Sequence, residues 1–254
     1  MPDPGIVRRR QIYVASPLVE EAHDYLTTMI IDPENEFENL AQHIGAPIIR
    51  AAEIAPDGLT AAASRARQHR LPLHLDLSDL EPDTRINKAA AFFAGLLTVP
   101  QEHCANTVLV AIDEGHLLAP HLAASARDAE TRRLGVATMT DLCSRGRKRG
   151  ISPVIATQRL AKLASRVVSE MQNVILGLNV FDRDITRAGD LLGFGSDRAS
   201  ALRNPPRRVL RLRAGAVQVA HLGADRTRGD TPPRRDTGPH GVRRRDTRGG
   251  ARAA

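Results

Sequence analysis

The chain has 254 residues, a formal charge of +7 and only 3% aromatic residues, which suits one α/β domain whose core is built from Leu, Val, Ile and Ala. Two cysteines, Cys104 and Cys143, exclude a disulfide framework, and no apolar run is long enough for a membrane span, so a cytoplasmic protein with no membrane partner is expected. The excess charge does not describe the core: nine Arg stand against three Asp between Arg226 and Ala254, and the remainder of the chain is near neutral.

Taken in order, Arg8-Arg9-Arg10-Gln11-Ile12 precedes a helix expected from about Pro17 to Leu26, with proline in the first turn and two glutamates near the positive end of the helix dipole. Met29-Ile30-Ile31-Asp32-Pro33 reads as a strand ending in an acid, followed by a helix from Glu34 to His43 that Asp32 would cap. A short strand is expected at Pro47–Ala51 and a helix at Leu59–His69. Leu71 to Leu77 alternates and predicts a strand with one wetter face, His74 and Asp76 lying on that same side. Arg85 to Val99 forms a helix with Ala89, Phe92, Phe93, Leu96 and Leu97 in one core stripe.

Val108-Leu109-Val110-Ala111-Ile112 then runs straight into Asp113-Glu114. An unbroken run rich in β-branched residues predicts a strand buried on both faces of a parallel sheet. Both carboxylates then fall at the carboxyl edge, where open α/β sheets bind ligands. A helix follows over much of Ala123–Arg149, closed by Gly150. Ile151 to Ile155 reads as another buried strand, leading into Ala156-Thr157-Gln158-Arg159. Leu160–Met171 reads as a helix, Val174–Val180 as a strand, and Asp182–Leu192 as a helix closed by Gly193. Val209–Leu212 and Ala216–His221 suit a C-terminal β-hairpin around Ala214-Gly215. The expected domains are an N-terminal segment 1–28, an α/β core 29–223 and an Arg/Gly-rich tail 224–254 with too few apolar residues to fold.

Strand–helix alternation with acids or amides at successive strand ends predicts an α/β fold with a RecA-like, mostly parallel sheet flanked by helices. Ile30 to Phe37, Val108 to His116 and Arg145 to Arg159 together resemble the HerA/FtsK-like ring ATPases, DNA translocases and helicases of the P-loop NTPase superfamily. The resemblance spans roughly Met29 to Gly193, and its most specific part is Arg-Gly-Arg-Lys-Arg-Gly-Ile followed by Val-Ile-Ala-Thr-Gln-Arg.

The resemblance implies ATP and Mg²⁺ as ligands and these roles. Asp113 supports Mg²⁺ through water, and Glu114 is the catalytic base. Gln158 senses the γ-phosphate or places the water. One of Arg145, Arg147 and Arg149 reaches the neighbouring subunit's nucleotide as an arginine finger. Asp32 and Arg159 are further candidates for the nucleotide side of the site, and Glu36 matches a family acid. A homo-oligomeric, hexameric ring, DNA and a nuclease partner are likewise implied. Asn35 stands where the family has glycine.

One element is missing. A P-loop needs Gly-x-x-x-x-Gly-Lys-Ser/Thr, and the only lysines are Lys88, Lys148 and Lys162, none behind a glycine-rich turn. The slot one helix before the Ile-Asp-Pro strand holds Arg8 to Ile12 instead. Three readings compete: a gene start that is truncated or out of frame, a non-catalytic subunit that binds partners or DNA, or nucleotide binding through an unusual loop.

Overall fold

The computed structural model describes residues 16–123, 125–176, 181–194, 208–213 and 216–221, with the backbone alone for 176, 208–213 and 216–221. The Arg8–Ile12 slot, the expected strand beyond Leu176, the Ala214-Gly215 turn and the tail 224–254 lie outside those residues.

A helix over 16–23 (α1) leads into β1 (Thr27–Asp32). There follow α2 (Glu38–His43), β2 (Ile48–Arg50), α3 (Pro56–Gln68), β3 (Leu73–Asp76), α4 (Pro82–Leu97), β4 (Val108–Ile112), α5 (Ala129–Arg145) and β5 (Ile151–Ile155). The five strands form one parallel sheet in the order β2-β3-β1-β4-β5. Helices α3 and α4 each begin with proline followed by aspartate, residues suited to the open N–H groups and positive pole of a first turn.

Alternation along the central strands separates two cores. Met29, Ile31, Leu73, Leu75, Val108, Val110 and Ile112 pack with buried residues of α3, α4 and α5, including Leu59, Phe92, Phe93, Leu96 and Met139. Ile30, Leu109 and Ala111 face the other way, onto Val19 of α1 and Leu40, Ala41 and Ile44 in and just after α2. The sheet is therefore covered on both faces, as a parallel sheet requires. None of the helices among the described residues is long and apolar enough to cross a membrane.

Several expectations are corrected. The helix expected at Glu34 starts only at Glu38, because the Asp32 carboxylate takes the N–H groups of Glu34, Glu36 and Phe37 and holds 33–37 as a loop. Strand β3 has no wetter face: it lies between β2 and β1, and all four of its residues are buried. Conversely β5 is an edge strand, half-buried rather than buried, a position that tolerates Pro153 and its missing N–H. The 123–149 helix begins at Ala129 and tightens into a 3₁₀ turn at Gly146–Arg149.

The helix expected over 160–171 is broken. A 3₁₀ turn at Leu160–Lys162 gives way to extended Leu163, which bridges Pro120, and α6 (Ser165–Ser169) is short. Tertiary hydrogen bonds override helix propensity there: His121 N–H donates to Lys162 O at 2.7 Å and Ala164 N–H to Ala119 O at 2.9 Å. Strand β6 (Asn173–Leu176) does not extend the parallel sheet. It pairs antiparallel with β7 (Arg208–Arg213), which pairs with β8 (Ala216–His221) as the expected hairpin. Between them in the chain, α7 (Asp182–Leu192) ends at Gly193 with a left-handed φ of 65°.

Candidate active site at the carboxyl edge of the sheet

Strand β4 delivers two acids to the sheet edge between β1 and β5. Asp113 N–H donates to Ile31 O at 3.0 Å, Ala156 N–H to Ile112 O at 2.8 Å and Gly115 N–H to Ala156 O at 2.9 Å. These bonds lock the ends of three adjacent strands together. Ile31 pairs with Ile112, so Asp32 and Asp113 follow side by side. Both Asp113 and Glu114 are buried. Burial, then the negative charges of Glu114, Asp32 and Glu36, push the Asp113 carboxyl up to about 8.

Glu114 sits in the left-handed region at φ 38°, ψ 50°. Such a conformation costs a residue with a Cβ on the order of 1–3 kcal/mol, and it turns the chain sharply at the strand end. Gly115 follows because there is no room for more: a Cβ there would stand 2.4 Å from Ile155 Cγ2. The Glu114 carboxylate is held from two sides. Its Oε2 lies 3.0 Å from His116 Nδ1 and accepts the Gln158 N–H at 3.3 Å. His116 Nδ1 is also 3.0 Å from Thr157 Oγ1, which accepts the Arg159 N–H at 3.1 Å. Asp113, Glu114 and the Thr157–Arg159 turn thus form one cluster, as strand-end reasoning expects.

Asp32 is placed differently. It is fully buried and accepts four hydrogen bonds, three from its own loop and one from His74 Nε2 at 3.0 Å. Its carboxylate organises the loop beside Asp113. Within that loop Asn35 takes φ 55°, a left-handed value that asparagine tolerates better than most side chains.

Arg159 is braced by α7: its guanidinium stacks 4.3 Å from the Phe181 ring centre and its Nε lies 3.7 Å from Asp184 Oδ2. Buried Asp184 also accepts the Ala161 N–H at 2.7 Å and so fixes the turn after Gln158. Arg147 and Arg149 are far from this edge. Their turn leads into β5 at the amino edge of the sheet, roughly 16 Å away at the 3.3 Å rise of a strand. There Arg149 Nη2 donates to Val99 O, and Arg147 is exposed; Arg145, also exposed, pairs with Asp141 at 3.4 Å. Lys88 donates to the carbonyls of Ala51 and Ile54.

Sequence reasoning missed His116, Thr157, His74 and Asp184. His116 was signalled by its place two residues after Glu114, and Thr157 by its place beside Gln158. His74 was read as a solvated edge residue, and nothing local marks Asp184.

The donors present suit a divalent cation. Asp113 is a hard oxygen donor whose neighbours crowd it with negative charge, a deficit that a cation relieves. No group of three His, Cys, Asp or Glu able to hold a metal occurs among the described residues.

No family model and no curated protein matches the chain. Solved structures do. VirB4 of Thermoanaerobacter pseudethanolicus superposes with a TM-score of 0.62 at 11% identity, over 88% of this chain and 88% of that one. B204, the DNA-packaging ATPase of Sulfolobus turreted icosahedral virus, gives 0.53 at 12%, over 83% and 90%. The genome-packaging NTPase B204 of Sulfolobus turreted icosahedral virus 2, in complex with AMP, gives 0.50 at 10%, over 81% and 86%. At these identities the likeness establishes the fold alone: a RecA-like α/β sheet similar to those of VirB4 and the B204 packaging NTPases.

Proposed function

We propose that the chain is a HerA/FtsK-like ATPase core that binds ATP with Mg²⁺ at the carboxyl edge of its parallel sheet and couples hydrolysis to movement on DNA. The observation that carries this reading is the meeting of Asp113, Glu114 and the Thr157–Arg159 turn at adjacent strand ends. The fold shared with nucleotide-bound packaging NTPases supports it.

Hydrolysis requires a water to attack the γ-phosphorus while the bond to the bridging oxygen breaks and a proton leaves the water. Glu114, held in place by His116 and the Gln158 N–H, receives that proton. Gln158, on the adjoining strand end, orients the water. Asp113 is the carboxylate that would hold Mg²⁺, and that ion, when bound, would supply charge to offset the phosphates. Asp32 keeps the neighbouring loop in position. Arg159, stacked on Phe181 and beside Asp184, stiffens the turn and is a further candidate for phosphate contact.

The arginines of the amino edge serve a different copy of the chain. In a ring, exposed Arg147 suits a finger for the adjacent subunit's nucleotide better than Arg149, which is tied to Val99. Turnover by purified protein tests the reading: Glu114→Gln lowers it by roughly 100-fold or more, the share a positioned general base supplies. Unchanged turnover in that variant contradicts it.

The missing Gly-x-x-x-x-Gly-Lys run favours a second reading, a non-hydrolysing subunit that binds DNA through the Arg-rich tail. Salt-sensitive DNA binding that is lost on deleting 226–254, with no hydrolysis, identifies this alternative.

A further inference from the structure

His116 Nδ1 lies 3.0 Å from a carboxylate oxygen of Glu114 and 3.0 Å from Thr157 Oγ1. A ring nitrogen carries either a proton or a lone pair. A lone pair at Nδ1 would accept the Thr157 hydroxyl but would face the lone pairs of the Glu114 carboxylate. A proton at Nδ1 is donated to Glu114 and tolerates the Thr157 oxygen beside it. Only the Nδ1–H form satisfies the carboxylate, and it differs from the Nε2–H form that unconstrained neutral histidines favour.

The neighbourhood explains why such a brace is needed. Glu114 is strained, at φ 38°, and its carboxylate is crowded by buried Asp113. The contacts found on that carboxylate are the His116 ring and the Gln158 N–H, and both link it to the turn at the end of β5. Thr157 Oγ1, which accepts the Arg159 N–H, lies beside the same ring nitrogen.

Building on the reading of Glu114 as the base, we propose that His116 is its positioning residue. Its Nδ1–H, called for by the Glu114 carboxylate itself, holds that carboxylate against the Thr157–Arg159 turn, where the water-orienting Gln158 stands.

Two measurements test this, one of them independent of turnover. Ring ¹⁵N chemical shifts, with His116 identified among the nine histidines by its loss in His116→Asn, report which nitrogen is protonated in nucleotide-free protein. The expected result is Nδ1–H in the wild type and Nε2–H once Glu114→Ala removes the acceptor. An Nε2–H ring in the wild type overturns the proposal.

In turnover, His116→Ala lowers kcat by about 10- to 100-fold, the range a misplacement of about 1 Å produces, with little change in KM for ATP. His116→Asn places an amide N–H near the Nδ1 position and regains most of that loss. If Glu114→Gln abolishes turnover while His116→Ala leaves kcat unchanged, the role given to His116 is wrong although the ATPase reading stands. If Glu114→Gln itself is without effect, the ATPase reading fails, and the tautomer measurement still decides whether His116 braces Glu114.

Discussion

Asp113 sets the residue-scale chemistry because its carboxyl resists ionisation. Its ordinary value lies near 4, and burial with three acidic neighbours raises it to about 8. Between those values the folded chain holds a proton that the unfolded chain has released. Stability from this group is therefore fully present below about pH 4 and is lost as pH rises through 8. Asp113→Asn, which cannot ionise, removes that dependence. Thermal unfolding from pH 5 to 9 is expected to place the variant close to wild type at pH 5 and above it at pH 9. A constant difference across that range contradicts the assignment. The same crowding is what a cation at the proposed site would relieve. Asp32 and His74 form a different kind of pair, fully buried and bonded mainly to protein, whose part is to hold a loop.

At the scale of elements, close packing on the α3–α4 face keeps the sheet in place. Gly95 of α4 lies so near α3 that a Cβ would come within 2.2 Å of the Thr60 carbonyl oxygen and 3.0 Å of Ala63 Cβ. Thr60 Oγ1 also donates to Ala91 O at 2.9 Å across the same contact. Gly95→Ala forces the two helices apart, and the expected loss is about 3 kcal/mol, at the upper end for overpacking a well-filled core. Urea unfolding checks this, and a midpoint equal to wild type contradicts it. Elements of this kind were legible where the local pattern decided them: the five strands of the parallel sheet, α3, α4 and α7 all follow apolar period, proline and glycine. The break between Leu160 and Ser165 was not, because hydrogen bonds to Ala119, His121 and Asp184 decide it from far along the chain. Nor was the antiparallel sheet of β6, β7 and β8, since an apolar run does not reveal its partner.

At the scale of the whole molecule, two edges of one sheet divide the candidate roles. The carboxyl edge gathers Asp113, Glu114 and the Thr157–Arg159 turn, and the amino edge carries the Arg147–Arg149 turn. That gathering was legible, because residues after successive buried strands of a parallel sheet must meet at one edge. The strain at Glu114 and the His116 brace were not, since they depend on how three strand ends interlock. The central claim is that this edge binds nucleotide. Titration of the full chain with a fluorescent ATP analogue, with and without Mg²⁺, tests it most directly. The account predicts Mg²⁺-dependent saturable binding that Asp113→Ala weakens by about tenfold or more, a differential of roughly 1.4 kcal/mol. Binding that is equally tight in Asp113→Ala, or no binding at high concentrations of protein and nucleotide, would contradict it.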